Sequence, residues 1–309
     1  MRGRTTRLDG LAAVIMVVLC AFWGFNQVAV KLTNAGISPV LQAGFRSIGS
    51  LALVWAWSAL RGTPLFRRDG SLLPGLLVGL LFAAEFIFLY PGLMFAGASR
   101  AVLFLYTAPF VVAIGAHFFV PGERLRRVQV AGLLAAFVGV AIAFRDALTL
   151  PGQRELFGDA LCFVGAIFWG SSTVLVKASR LARVSPDKTL FYQLAVSALV
   201  LPLVSRGLGE PGIIALTPLV VALLGFQIVI VSFLSYLTWF WLMTRYPAST
   251  LSAFSLLTPL FGLLAGGLLL HEPITPALLA AAMLVIVGIY LVNRARPAAE
   301  PIMVKLAET

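Results

Sequence analysis

Residues 23–31 read WGFNQVAVK and residues 169–177 read WGSSTVLVK. Each stretch opens on Trp-Gly and closes on a lysine at the same spacing, inside an apolar run. Working outward, Ser38-Pro39 answers to Ser185-Pro186, Pro109 to Pro259, Glu123 to Glu272 and Gly139 to Gly288, all at a nearly constant offset. A register kept over nearly the whole chain means two halves of about one fold each. In so apolar a chain it points to a transporter built from repeats.

Hydrophobic residues make up 60% of the 309 and charged residues 11%. A soluble domain carries about 25% charged residues, so lipid must be the solvent. With about 20 residues per helical span, the chain has room for about ten spans and no stretch polar enough for a separate soluble domain. The spans expected are 11–32, 38–60, 72–95, 98–120, 128–144, 157–177, 187–205, 213–243, 248–270 and 275–293. Arg2, Arg4 and Arg7 resemble a signal-peptide start, but the apolar run that follows is too long for a signal core and lacks a small-residue cleavage site. It reads as a retained first span. The net charge of +11 does not indicate nucleic acid, because the basic residues sit in short loops rather than on one face. Cys20 and Cys162 lie inside apolar segments and read as buried small hydrophobes.

The 23 Lys and Arg also give a direction. With the N-terminus inside, only Lys31, Arg100, Arg145, Arg154 and Arg206 fall outside and Arg46 lies within a span; all the others are cytoplasmic, which is the expected bias. Five spans per half is an odd number, so the second half enters the membrane from the opposite side. The expected fold is therefore an all-α membrane protein of ten transmembrane helices. It consists of two inverted five-helix repeats, 1–150 and 151–296, around a central cavity, with a cytoplasmic tail at 297–309.

The Trp-Gly-to-Lys openings, Phe45-Arg46, and the run Pro109…Gly122-Glu123…Gly132…Gly139, repeated as Pro259…His271-Glu272…Gly288, resemble the EamA-type transporters of the drug/metabolite transporter superfamily. The resemblance implies export of small metabolites, amino acids among them, across the bacterial inner membrane. Within that family the chain looks most like exporters of aromatic and other neutral amino acids. It departs from symmetry at Gln193, which answers to Arg46, and at His271, which answers to Gly122.

Several residues are candidates for a substrate cavity. Trp23 and Trp169 lie mid-span, where an interfacial anchor does not belong, so they read as core or as cavity wall. Asn26 and Ser172 share a helix face with them. Glu85 is the acidic residue well inside a span and Arg46 the basic one, at similar depth; an ion pair between them is geometrically possible. Glu85 reads either as a proton-coupling carboxylate or ammonium clamp, or as half of a structural pair. Phe88, Tyr90, Tyr106, Tyr236, Trp239 and Ser255 add aromatic and hydroxyl groups suited to an amphiphilic ligand.

Other residues are candidates for gating and packing. Lys31 and Lys177 end the first span of each half, as snorkelling lysines or as guards of two gates. Pro109 and Pro259 are a candidate symmetric hinge. Glu123 and Glu272 read as charges at the N-termini of spans five and ten. The small residues of those two spans, Gly132, Ala136, Gly139, Ala280, Ala281 and Gly288, suit close packing or a homodimer.

No His-Glu-x-x-His and no Gly-x-x-x-x-Gly-Lys occurs, so metal hydrolysis and ATP-driven pumping lack their groups. No metal or cofactor is expected; the partners are a small-molecule substrate and membrane lipid. An exporter of organic cations or drugs is the alternative, with an intramembrane enzyme behind it. A channel would want a ring of like residues, which two unequal halves do not supply.

Overall fold

The computed structural model describes residues 8–96, 98–145, 151–270 and 276–294. The sequence motif His271-Glu272, Pro273 and the tail 297–309 lie outside them. Helix α1 (Gly10–Thr33) starts where Asp9 accepts the Ala12 N–H at 2.8 Å, which is how a carboxylate satisfies a helix N-terminus. Helix α2 (Pro39–Leu60) starts with Pro at its first position. Its free N–H groups of Val40 and Leu41 are taken by the Glu210 carboxylate at 3.0 and 3.1 Å. Ser38 Oγ bonds Gly212 beside it, so the loop after α8 caps a helix of the other half.

Helix α3 (Leu72–Ala96) carries Pro91 in its interior. Two short helices follow, α4 (Ala98–Leu105) and α5 (Ala108–Phe119), then α6 (Arg127–Ala143). The second half begins with α7 (Gln153–Ala178) and α8 (Pro186–Gly207). Then comes one long rod: α9 (Pro218–Phe226), a π-helical segment Gln227–Ser235, and α10 (Tyr236–Arg245). Helices α11 (Ala248–Phe254), α12 (Thr258–Leu270) and α13 (Pro276–Arg294) complete the described chain.

The expected single spans 98–120 and 248–270 are each broken. The breaks fall just before Pro109 and Pro259, whose rings cannot donate to the preceding turn. At each break a hydroxyl closes the turn: Thr107 Oγ1 donates to Phe104 O and Ser255 Oγ to Ser252 O, both at 2.6 Å. The π segment was not legible from periodicity; such segments are uncommon and gather at functional sites.

Among the described residues, seven helical runs are long and apolar enough to cross a membrane. Helix α2, with Gln42, Arg46 and its serines, is outside that group, and α6 is among the shorter apolar helices. Large apolar side chains such as Leu11, Leu73, Leu80, Leu199, Leu203 and Val221 point outward. Arg46, Glu85, Glu123, Asp159, Lys177 and Lys188 are buried. This distribution fits lipid outside and polar contacts inside. Cys20 and Cys162 are free and buried.

Packing is set by small residues. Helix α3 lies against α7 and α8, α2 against α8 and the π segment, α1 against α12 and α9, and α5 against α7. Helices α6 and α13 cross antiparallel. Gly132 faces Gly288 and Leu291, while Gly139 faces Ala281 and Leu284. The stripe of small residues is thus filled within the chain.

Candidate functional site

A cavity of about 470 Å³ opens between the helices of the two halves. Helix α1 gives it one face of its last turns, Trp23, Asn26, Gln27, Val30 and Lys31, continued by Asn34, and α2 adds its first residue, Pro39. Helix α2 contributes Arg46, α3 a long edge from Phe82 to Met94, and α4 Ala101, Val102 and Leu105, with Tyr106 beyond. Helix α7 adds Trp169, Ser172 and Thr173, α8 adds Gln193, and the π–α10 rod adds Val231, Tyr236, Trp239 and Phe240.

The aromatic wall is locked by edge-to-face contacts. Trp23 meets Trp239 with ring centroids 5.6 Å apart and Tyr236 at 6.5 Å. Trp169 stands perpendicular to Tyr106 at 5.9 Å. The Trp23 Nε1–H donates to Ser235 Oγ at 2.8 Å, and Gln27 Nε2 donates to the Tyr106 hydroxyl at 3.4 Å. The Trp23 indole and the Tyr106 phenol thus have their polar edges bonded to protein while both residues line the cavity.

The structure separates the sequence candidates. It brings Trp23, Asn26, Lys31, Arg46, Glu85, Tyr90, Tyr106, Trp169, Ser172, Tyr236 and Trp239 to one cavity. It leaves out Phe88, whose ring lies against Phe168 at 5.3 Å, and Ser255, buried at the α11–α12 break. The ninth expected span therefore contributes no lining, whereas the second and seventh contribute Arg46 and Gln193. Pro109 and Pro259 sit buried at the two breaks, away from the lining. Gln27, Thr173 and Pro39 were missed. For Gln27 a signal existed: positions 23, 26, 27, 30 and 31 share one helical face.

Arg46 and Glu85 form no ion pair among the described residues. The Arg46 guanidinium lies over the Phe86 ring, 4.7 Å from its centroid. The pair expected as geometrically possible is not made, because the guanidinium turns along α3 to the neighbouring ring.

The two lysines part ways. Lys31 is exposed at the end of α1, where the cavity reaches the exposed Met94. Lys177 does not snorkel: it is 5% exposed, its Nζ donates to Tyr246 O at 2.6 Å and pairs with Glu123 at 3.8 Å. Glu123 accepts the Ala248 and Ser249 N–H groups at 3.1 and 3.3 Å. It therefore caps α11, not the helix that follows it in sequence. Tyr246 donates its hydroxyl to Asp9 at 2.7 Å. These contacts join α1, α7, α11 and the loop after α5 at the end of the bundle opposite Lys31.

Comparison with known proteins matches the EamA-like transporter family over residues 10–145 and again over 156–294. A "Probable amino-acid metabolite efflux pump" of Salmonella typhimurium is 30% identical over 93% of the chain and 95% of its own length. The protein of the same description in Escherichia coli is 28% identical over the same shares. An "Uncharacterized transporter" of Archaeoglobus fulgidus is 28% identical over 92% of the chain and 99% of its own length. One solved crystal structure has the same fold, with a TM-score of 0.79 at 23% identity, covering 92% of this chain and 98% of that one. Matched in both halves and along nearly its full length, the chain belongs to the EamA-like transporter family and is a multi-pass membrane transporter, not an enzyme.

Proposed function

We propose that the protein exports small metabolites, neutral amino acids with aromatic or other apolar side chains foremost, across the bacterial inner membrane by alternating access. The observation that carries this reading is the cavity: an aromatic box with one buried arginine and one buried glutamate, of a size for a single metabolite. The printed descriptions of the Salmonella and E. coli relatives support it.

The scaffold proposed is ten spans in two inverted repeats, 1–150 and 151–296, with both termini cytoplasmic. The helix contacts support it. Exchange α1 with α7, α2 with α8, α3 with the α9–α10 rod, α4–α5 with α11–α12 and α6 with α13. The contact of α3 with α7 then becomes that of the rod with α1, and α1 on α12 becomes α7 on α5. Helices α6 and α13 exchange with each other and run antiparallel, as a twofold axis in the membrane plane requires. In the orientation given by the basic loops, the Lys31 end faces outside and the Lys177–Glu123 end is the cytoplasmic closure. A homodimer through α6 and α13 would use their outer faces, such as Leu134, Val138, Met283 and Ile286.

An exporter of organic cations would find Glu85 and the aromatic wall suitable but would set its cation against Arg46. The test is uptake of a labelled amino-acid panel into proteoliposomes, with and without a pH gradient. Transport of aromatic amino acids is expected. Transport of quaternary amines without any amino acid would replace this reading with the cation exporter.

A further inference from the structure

The two halves disagree at three cavity positions, and the disagreement has a pattern. In the second half Gln193 Nε2 donates to Ser172 Oγ at 3.0 Å. Ser235 Oγ donates to Val231 O and accepts from Trp23 Nε1. In the register of the two halves Gln193 answers to Arg46, Ser172 to Asn26 and, at the offset that pairs Ala98 with Ala248, Ser235 to Glu85. All three first-half residues line the cavity, and Arg46 and Glu85 are only 3% and 8% exposed. Yet Arg46 Nε and Nη2, Asn26 Oδ1 and Glu85 Oε2 are buried with no hydrogen-bond partner among the described residues.

Buried polar atoms left unpaired are costly, and charged ones most of all. These four, together with Asn34 Oδ1, which is likewise buried without a partner on a lining residue, all come from one half and form a recognition surface. Their chemistry is divided. Nε–H and Nη2–H lie along one edge of the guanidinium, the fork that takes a carboxylate with two parallel hydrogen bonds. Phe86 beneath the guanidinium holds that plane. Glu85 Oε2 and Asn26 Oδ1 accept, and an ammonium group only donates. Neither charge is consumed by the other, since no ion pair joins them among the described residues.

We infer that the first-half face of the cavity is a zwitterion site, in which Arg46 holds the carboxylate of an α-amino acid while Glu85 and Asn26 hold its ammonium. The inference rests on the amino-acid export reading and adds the rule of selection: both charged ends are needed. An amine without the carboxylate leaves Arg46 unpaired, and an acid without the ammonium leaves Glu85 unpaired. A site built to bond both groups rejects each analogue for that reason.

The test is binding of L-phenylalanine, phenethylamine and 3-phenylpropionate to the purified full chain. The wild type is expected to hold phenylalanine at least tenfold more tightly than either analogue. Arg46→Gln loses tenfold or more for phenylalanine and nothing for phenethylamine. Glu85→Gln loses as much for phenylalanine and nothing for 3-phenylpropionate. Arg46→Lys, which keeps the charge without the fork, falls between wild type and Arg46→Gln. Equal binding of all three ligands by the wild type overturns the zwitterion site and leaves the export reading standing. So does undiminished phenylalanine binding in both glutamine variants. If no α-amino acid of a labelled panel binds or is carried, both readings fall. The wild-type comparison decides alone should a variant not fold.

Discussion

Lys177 Nζ and Glu123 Oε1 meet at 3.8 Å with their side chains 2% and 7% exposed. Each is held by backbone as well: the lysine by the Tyr246 carbonyl, the glutamate by the Ala248 and Ser249 amides. Removing one partner of such a pair leaves a buried charge. Lys177→Met should therefore destabilise the protein by about 3 kcal/mol, the low end for a broken buried pair because the α11 amides still hold the carboxylate. Thermal unfolding in detergent measures it. The double variant Lys177→Met/Glu123→Gln should recover part of the loss, since the remaining charge is then gone. A double variant no better than the single one would show that the charge is not what matters.

Gly288 and Gly132 permit the α6–α13 contact. A Cβ on Gly288 would stand 2.7 Å from Ala136 N and Cβ, and one on Gly132 would stand 2.6 Å from Gly288 O. Neither backbone atom can rotate away. Gly288→Ala should cost about 1–3 kcal/mol by overpacking. Gly225→Ala, where a Cβ meets nothing within 4 Å, should be neutral or slightly stabilising through helix propensity. Melting temperatures of the two variants test the contrast.

Asp69, in the loop before α3, is held below the ordinary carboxylate value of 3.8 by its hydrogen bonds from Lys188 Nζ and the Ser71 hydroxyl. A lowered folded-state value means stability that is complete above 3.8 and is lost as the pH falls through the folded-state value. The difference in melting temperature between wild type and Asp69→Asn should stay level from pH 8 to about pH 5 and shrink below the ordinary value. A difference that is already absent at neutral pH would show that the loop does not draw on this carboxylate.

What was legible in the chain follows from how local each signal is. The Trp23, Asn26 and Lys31 face needs only helical periodicity, so the wall it forms could be read from spacing. Arg46 and Glu85 could be placed at similar depth by counting along spans, but not their rotation; that is fixed by Phe86 lying under the guanidinium. Ser255 and Phe88 looked equivalent to true lining residues. The break before Pro259 turned Ser255 onto Ser252, and Phe168 covered Phe88. Glu123 was read against the helix that follows it, while its real partner is a helix N-terminus more than a hundred residues on. Such a cap is a tertiary contact with no local signature.

Trp169 and Trp55 offer the sharpest contrast between wall and surface. Trp169 lines the cavity at right angles to Tyr106, whereas Trp55 is 59% exposed on the apolar exterior. Both are tryptophans of the same apolar area, but Trp55 stands in the last turns of α2 while Trp169 lies deeper within α7. Trp169→Ala removes a flat face from the cavity and the edge-to-face contact that fixes Tyr106, together about 1.5–3 kcal/mol. The affinity for L-phenylalanine should fall by at least tenfold, with the far-ultraviolet spectrum unchanged. Trp55→Ala removes only lipid-facing area and should leave affinity within a factor of two or so, because no substrate contact is lost. Equal losses in the two variants would mean that the aromatic wall does not touch the substrate, and the cavity would then need a different occupant.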